Sequence, residues 1–220
     1  MRVLIAGATG LVGQGVLHET LADPDVERVG LLLRRRIDRE DPRLETLVVP
    51  DYADLSAVEK ALAPYDACFY CAGATPIGTP EDRYRHVTFD LTLHVARAYA
   101  QRNPQGRFLY VSGAGSNSRS RIMQLRIKGE TERALQALPI ATTVLRTGGI
   151  QPAHGETSPH PWLRPLYAAG GPLMGLGAKI APAVLTTTAA VGRAMLALAR
   201  MPDPPEIVEN AEINRLGGTP

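Results

Sequence analysis

Arg2-Val3-Leu4-Ile5-Ala6-Gly7-Ala8-Thr9-Gly10-Leu11-Val12-Gly13 is a short apolar run that passes straight into three glycines spaced by three. Val12, Val16, Leu17, Thr20 and Leu21 then recur at helical spacing. The stretch reads as strand, tight turn and helix. A glycine just past a parallel strand permits the turn, a second leaves the main chain open to an approaching phosphate, and a third lets the helix lie close on the strand. The N–H groups of the first helical turn, at the positive end of the helix dipole, complete an anion site.

A glycine loop in this context is the fingerprint of a dinucleotide's pyrophosphate. It makes Gly7, Thr9, Gly10, Leu11, Val12 and Gly13 candidate cofactor contacts. The second apolar run, Val26 to Leu33, ends in Arg34-Arg35-Arg36. About 20 residues beyond such a loop an acidic residue ordinarily holds the ribose 2′-hydroxyl. Arg34 and Arg35 stand there instead, and a guanidinium fork suits a 2′-phosphate. The expected cofactor is therefore NADP, with NAD second.

Strand and helix signals alternate along the rest of the chain. Strands are expected at Thr46–Val49, Tyr65–Cys71, Arg107–Ser112 and Ala141–Leu145. Helices are expected from Ser56 to Ala63, Pro80 to Gln101 and Arg121 to Ala137. The fold class is α/β: a doubly wound parallel sheet whose ligands lie at the carboxyl ends of the strands. Residues 1–220 read as one domain, with 1–150 as the dinucleotide-binding core. Residues 151–182, with Pro152, Pro159, Pro161, Trp162, Pro165, Tyr167 and Pro172, read as an irregular lobe carrying one short helix over the strand ends. A final helix is expected over Thr187–Arg200, an edge strand at Glu206–Val208 and an unstructured tail from Gly217.

With 220 residues, 45% of them hydrophobic, the chain can bury roughly 70–75% of its unfolded surface. Its 24 basic and 22 acidic side chains nearly cancel, which argues against nucleic-acid and membrane-surface partners. No apolar run reaches membrane-span length and Met1-Arg2 enters a strand directly, so the default expectation is a cytoplasmic protein. Cys68 and Cys71 form a C-x-x-C, but three-residue spacing on a strand puts them on opposite faces, and no second pair completes a metal site. They read as inert core thiols, and no metal is expected.

Several motifs together resemble the extended and atypical short-chain dehydrogenase/reductases. They are the glycine loop, Asp51-Tyr52, Cys71-Ala72-Gly73, Val111-Ser112, Lys128-Gly129-Glu130 and Leu145-Arg146-Thr147-Gly148-Gly149. The nearest likeness is to the branch of Tat-interacting-protein-like oxidoreductases. It covers about residues 1–150 well and the remainder loosely. The resemblance adds Asp51, Tyr52, Cys71, Ala72 and Gly73 to the cofactor contacts. It also implies that Ser112 hydrogen-bonds a substrate carbonyl, and that Lys128 holds the nicotinamide ribose and lowers the pKa of a catalytic tyrosine one helical turn earlier. That position is Gln124 here. A carboxamide has no proton to give near neutral pH, so the usual acid is missing. Ser116, Ser118, His86, His154 and His160 are the nearest substitutes by sequence, with His18 and His94 weaker.

Two classes of function follow. One is an NADP-dependent oxidoreductase acting on a small carbonyl or related electrophile. The other is a non-catalytic dinucleotide-binding regulator or interaction protein. The helices expected from Pro80 and Arg121 carry Arg83, Arg97, Arg126 and Glu132 on faces read as outward, which points to a monomer or weak homodimer.

Overall fold

A computed structural model describes residues 1–156 and 183–218. The strands are β1 (Arg2–Ala6), β2 (Arg28–Leu33), β3 (Leu44–Val48), β4 (Ala67–Tyr70), β5 (Arg107–Gly113), β6 (Ala141–Thr147), β7 (Gly149–Gln151), β8 (Leu185–Thr187) and β9 (Ile207–Glu209). The helices are α1 (Leu11–Ala22), α2 (Glu81–Arg85), α3 (Leu91–Arg102), α4 (Met123–Gln136), α5 (Thr188–Arg200) and α6 (Asn210–Leu216). Seven strands form one wholly parallel sheet in the order β3-β2-β1-β4-β5-β6-β9. This is the doubly wound Rossmann-like architecture, with the order reversing between β1 and β4.

Alternation along the central strands divides the core in two. Leu4, Ala6, Cys68 and Tyr70 face one layer with Val95, Ala96 and Tyr99 of α3. Val3, Ile5, Ala67 and Phe69 face the other, with Val16 and Leu17 of α1 and Val191, Ala194 and Met195 of α5. Cys68 and Cys71 pack on opposite layers, and burial pushes both thiols up, Cys71 to about 12. They are unreactive at neutral pH.

Several local expectations need correcting. The helix expected over Ser56–Ala63 shrinks to one 3₁₀ turn, Glu59–Leu62. Asp51 and Asp54 capture the N–H groups of Ala53 and Ser56 in tight turns, and Pro64 stops any extension. The helix expected over Pro80–Gln101 is present as one continuous run from Glu81 to Arg102, but it contains a π-helical turn at His86–Asp90, where the Thr88 carbonyl accepts from both Thr92 and Thr131. Thr187 precedes α5 as its cap, accepting from the Ala190 N–H at 3.0 Å. Gly217, expected in a loose tail, ends α6 with its N–H on the Ile213 carbonyl, so close to α5 that a Cβ would lie 2.5 Å from the Ala190 carbonyl oxygen. Strands β7 and β8, which pair in a small second sheet, and helix α6 had no counterpart in the sequence reading. The irregular lobe lies outside the described residues from 157 to 182, and so do its short helix and His160. Among the described residues, no helix is long and apolar enough to cross a membrane.

The glycine loop turns on two contacts. Gly7 has φ +87° and lies against the β4 end, where a Cβ would meet the Ala72 nitrogen at 2.4 Å. A Cβ on residue 13 would be 2.0 Å from the Gly7 oxygen, whereas one on residue 10 would touch only that oxygen, at 3.4 Å. Gly13→Ala should therefore cost about 1–3 kcal/mol by overpacking, and Gly10→Ala distinctly less, when urea midpoints are compared. Equal losses would mean that the loop is not held as described.

Candidate functional site

The carboxyl edge of the sheet gathers most of the candidate residues. Gly10 caps α1 without a side-chain hydrogen bond, and the first turn carries no acidic residue. The Gly10 N–H bonds the Gly7 carbonyl at 3.0 Å, and the Gln14 amide reaches back to the Thr9 carbonyl at 3.0 Å. Thr9 is exposed, while Leu11 and Val12 are half-buried at the foot of the helix. Next to this loop, the Cys71 N–H bonds the Ala6 carbonyl, half-buried Ala72 abuts Gly7, and exposed Gly73 has open space around it. The donor set fits a pyrophosphate: an open glycine at the helix start, unopposed by negative charge.

At the end of β2, Arg34, Arg35 and Arg36 are all exposed. The register of β1 on β2 pairs Ala6 with Leu32, so Arg34 emerges beside the glycine loop. Asp51 is exposed and its carboxylate accepts from the Ala53 N–H. Tyr52 turns inward: its hydroxyl donates to the Leu32 carbonyl at 2.5 Å and lies by the Gly7 N–H, and burial raises its pKa to about 12. It props the loop from beneath, whereas the resemblance implies a cofactor contact.

A second group lies where β5 meets α4. Gln124, Lys128 and Glu132 are four residues apart and so share one face of the helix. Gly129 lets that helix settle on the β5–α4 loop, since a Cβ there would lie 2.3 Å from the Ser118 nitrogen. Lys128 is half-buried, with Nζ 5.7 Å from the centre of the Tyr110 ring. Desolvation lowers its pKa to about 8, opposed only in part by the charge of Glu132. Gln124 is half-buried on the same face and has no ionisable proton to supply.

Glu132 is the residue that sequence reasoning misplaced. Taken as outward, it is 3% exposed and points under β5 and β6. Its carboxylate accepts from Arg146 at 2.6 Å and from the Ser112 hydroxyl at 2.5 Å, and Arg146 also reaches Glu209 at 3.1 Å. A lone buried carboxylate is costly, so the arginine and serine are what hold it there. The signal was available: residue 132 stands one turn after Lys128 on the same stripe. Ser112 is 2% exposed and its hydroxyl donates a hydrogen bond to Glu132, while that of Ser116, 3.1 Å away, donates to the Gly113 carbonyl. Ser112 thus ties α4 to β5 and presents no free donor to a substrate. Ser118 accepts from Arg133 at 3.3 Å, His86 faces Asp90 at 3.5 Å, and His94 is exposed; none of them joins Lys128. His18 and His154 stack on each other far along α1 from the glycine loop.

Comparison with known proteins agrees with this geometry. A family described as NAD(P)H-binding matches residues 7–159. The mitochondrial protein FMP52 of Eremothecium gossypii is 33% identical over 159 residues, covering 71% of this chain and 69% of its own. The mitochondrial protein fmp52-1 of Aspergillus terreus is 29% identical over 184 residues, 81% of this chain and 76% of its own. Among solved structures, a thiolation-reductase di-domain from an archaeal non-ribosomal peptide synthetase superposes with a TM-score of 0.70 at 16% identity. That match covers 95% of this chain and 55% of the di-domain. Uronate dehydrogenase from Agrobacterium tumefaciens gives 0.66 at 18% identity over 98% of this chain and 82% of its own. The solved structures support the fold, and the family match supports NAD(P)H binding. The FMP52 relatives overturn the cytoplasmic expectation, since they are named mitochondrial and near-neutral composition carries no such address.

Removing one partner of the buried ion pair should be severe. Glu132→Ala leaves Arg146 with only the exposed Glu209 and takes from Ser112 its carboxylate acceptor, at a cost of about 3–5 kcal/mol, read as a shift of the denaturant midpoint. An unchanged midpoint would show that Glu132 is solvated.

Proposed function

This chain belongs to the NAD(P)H-binding family, and we propose that it is an NADPH-preferring reductase of small carbonyl compounds or related electrophiles. It would work without the usual tyrosyl acid, with Lys128 as the residue that gives the proton. The observation that carries this reading is the lysine's setting: half-buried beside Tyr110, brought to a pKa of about 8, with no hydrogen bond or ion pair to another side chain among the described residues. The bound nicotinamide cofactor supplies the hydride. The glycine loop and α1 hold its pyrophosphate, and Arg34 with Arg35 holds the 2′-phosphate. Gln124, one turn before Lys128, offers an amide to orient a carbonyl oxygen, and Glu132 keeps α4 in register with β5. A dimer surface through α2, α3 and α4 would carry the charges of exposed Arg83 and Arg97, which supports a monomer or weak homodimer.

Two observations favour a second reading, a dinucleotide-binding regulator or interaction protein. They are the amide at position 124 and the engagement of the Ser112 hydroxyl with Glu132. The readings separate on turnover: NADPH bound but never oxidised by a broad panel of aldehydes, ketones and quinones would leave only the regulator.

Cofactor choice is the first test. NADPH should bind at least ~10-fold more tightly than NADH, equivalent to about 1.4 kcal/mol, and Arg34→Glu should narrow or invert the preference in calorimetry. Equal affinities in the unaltered protein would refute the assignment of the arginines.

The second test is the pH profile. A lysine whose pKa is lowered to about 8 is mostly protonated at pH 7 and loses its proton as pH rises through 8. kcat/KM for reduction should therefore fall on the alkaline side of about pH 8. Lys128→Met should lower it by about 10²–10⁴, and Lys128→Arg, which stays protonated, should remove the alkaline limb. A flat profile across that range would exclude Lys128 as the acid.

A further inference from the structure

The mechanism above leaves unused a compact group on the opposite layer from Lys128. His18 and Glu19 lie on α1, and His154 lies in the segment that follows β7. One ligand atom from each falls within 4.8 Å of the other two. Glu19 Oε1 is 2.6 Å from His154 Nε2 and 3.7 Å from His18 Nδ1. The imidazoles stack at 3.8 Å between centroids, with 21° between planes.

We propose that His18, Glu19 and His154 form a binding site for a borderline divalent transition-metal ion of the Zn²⁺ class, which ties the segment after β7 to α1. Two imidazoles and one carboxylate are a ligand set that zinc takes, with the remaining position open to water. Zinc–nitrogen bonds of about 2.0–2.1 Å in a tetrahedron set ligand atoms roughly 3.3 Å apart. The two observed separations from Glu19 bracket that value. Bringing both imidazoles into the plane of one ion takes a rotation of His18, whose side chain is 45% exposed and meets solvent on its outer side.

The carboxylate is held as a ligand is held. Glu19 is only 10% exposed, and its other oxygen, Oε2, lies 3.3 Å from the Arg193 guanidinium of α5. An outer partner on the second oxygen fixes which oxygen faces the ion. Room for Glu19 comes from Gly192, where a Cβ would lie 2.9 Å from both the Cβ and the Cγ of the glutamate. The backbone of His154 is fixed in turn: its N–H bonds Glu156 at 2.8 Å, and Glu156 accepts from Thr188 at 2.7 Å. The two elements are therefore already aligned, and an ion replaces the direct contact between His154 and Glu19 as His18 turns toward it.

The test uses the untagged full chain, stripped of metal with a chelator and titrated with Co²⁺ as the spectroscopic probe, then with Zn²⁺ in competition. One equivalent of Co²⁺ should bind saturably, with the visible d–d absorption of a low-coordinate nitrogen–oxygen site, and Zn²⁺ should displace it. His154→Ala and Glu19→Gln should each weaken binding by about tenfold or more. His86→Ala, which removes an exposed histidine paired with Asp90, should leave it unchanged. His154 is itself largely at the surface, so its variant keeps the test open even if Glu19→Gln fails to fold. The proposal fails if the unaltered chain shows no saturable Co²⁺ absorption, or if His154→Ala binds as tightly as the parent.

Discussion

Two peptide groups that nearly touch decide how this molecule is built. The Gly7 carbonyl lies where any side chain on residue 13 would have to begin, and Gly7 itself is pressed against the start of the loop after β4. The three segments can meet only because residues 7 and 13 carry no Cβ. Their meeting sets α1 on the sheet, opens its first turn at the strand ends and leaves Gly10 as the uncrowded position. The anion site is thus a consequence of close packing more than of any particular polar side chain. Tyr52 completes it from below by filling the space under the turn, with its hydroxyl satisfied on the Leu32 carbonyl. An aromatic ring at that place stiffens the loop without competing for a phosphate.

The second fixed point is the carboxylate of Glu132. An unpaired buried charge would be untenable, so its position dictates where Arg146 and Ser112 stand. It joins α4 to the ends of β5 and β6, the elements that carry Lys128 and the chain's exit toward β7. The same carboxylate accepts the hydrogen bond of a serine that the family resemblance would offer to a substrate. Ser112 therefore serves the framework, and the chemistry must be sought in residues that the framework leaves open.

Most of the architecture was legible in the chain because each signal was physical and redundant. Buried parallel strands such as Val3–Ala6 and Phe108–Tyr110 are continuous apolar runs, and right-handed crossovers then leave few strand orders open. The glycine loop was legible for the same reason, since only glycine tolerates its contacts. What escaped were features decided by distant partners. Strands β7 and β8 are three residues each and exist only as a pair, so neither has a pattern of its own. The Ser56 segment has helical composition, but aspartate turns at Asp51 and Asp54 lead into it and Pro64 closes it. Glu132 looked like a solvated helix residue because charge usually means exposure. Its partner Arg146 lies 14 residues on, in a strand, where no helical spacing points to it.

The face of α4 that carries positions 124, 128 and 132 shows what changes when the tyrosine is replaced. With a phenol at 124, the resemblance assigns Lys128 an indirect role, lowering the pKa of the group that gives the proton. With an amide there, nothing on that turn ionises, and the lysine's own proton becomes the relevant one. Glu132 cannot take its place, because Arg146 and Ser112 already engage its carboxylate. Desolvation acts on Lys128 in the useful direction: it weakens the hold on the proton without removing it at pH 7. The attraction of Glu132 works the other way and keeps the shift moderate. A fully desolvated lysine would be neutral and unable to donate, and a fully solvated one would hold its proton too firmly. The half-buried position over Tyr110, one turn from a carboxylate already neutralised by an arginine, lies between those limits, and that balance is what the proposed role of Lys128 as acid rests on.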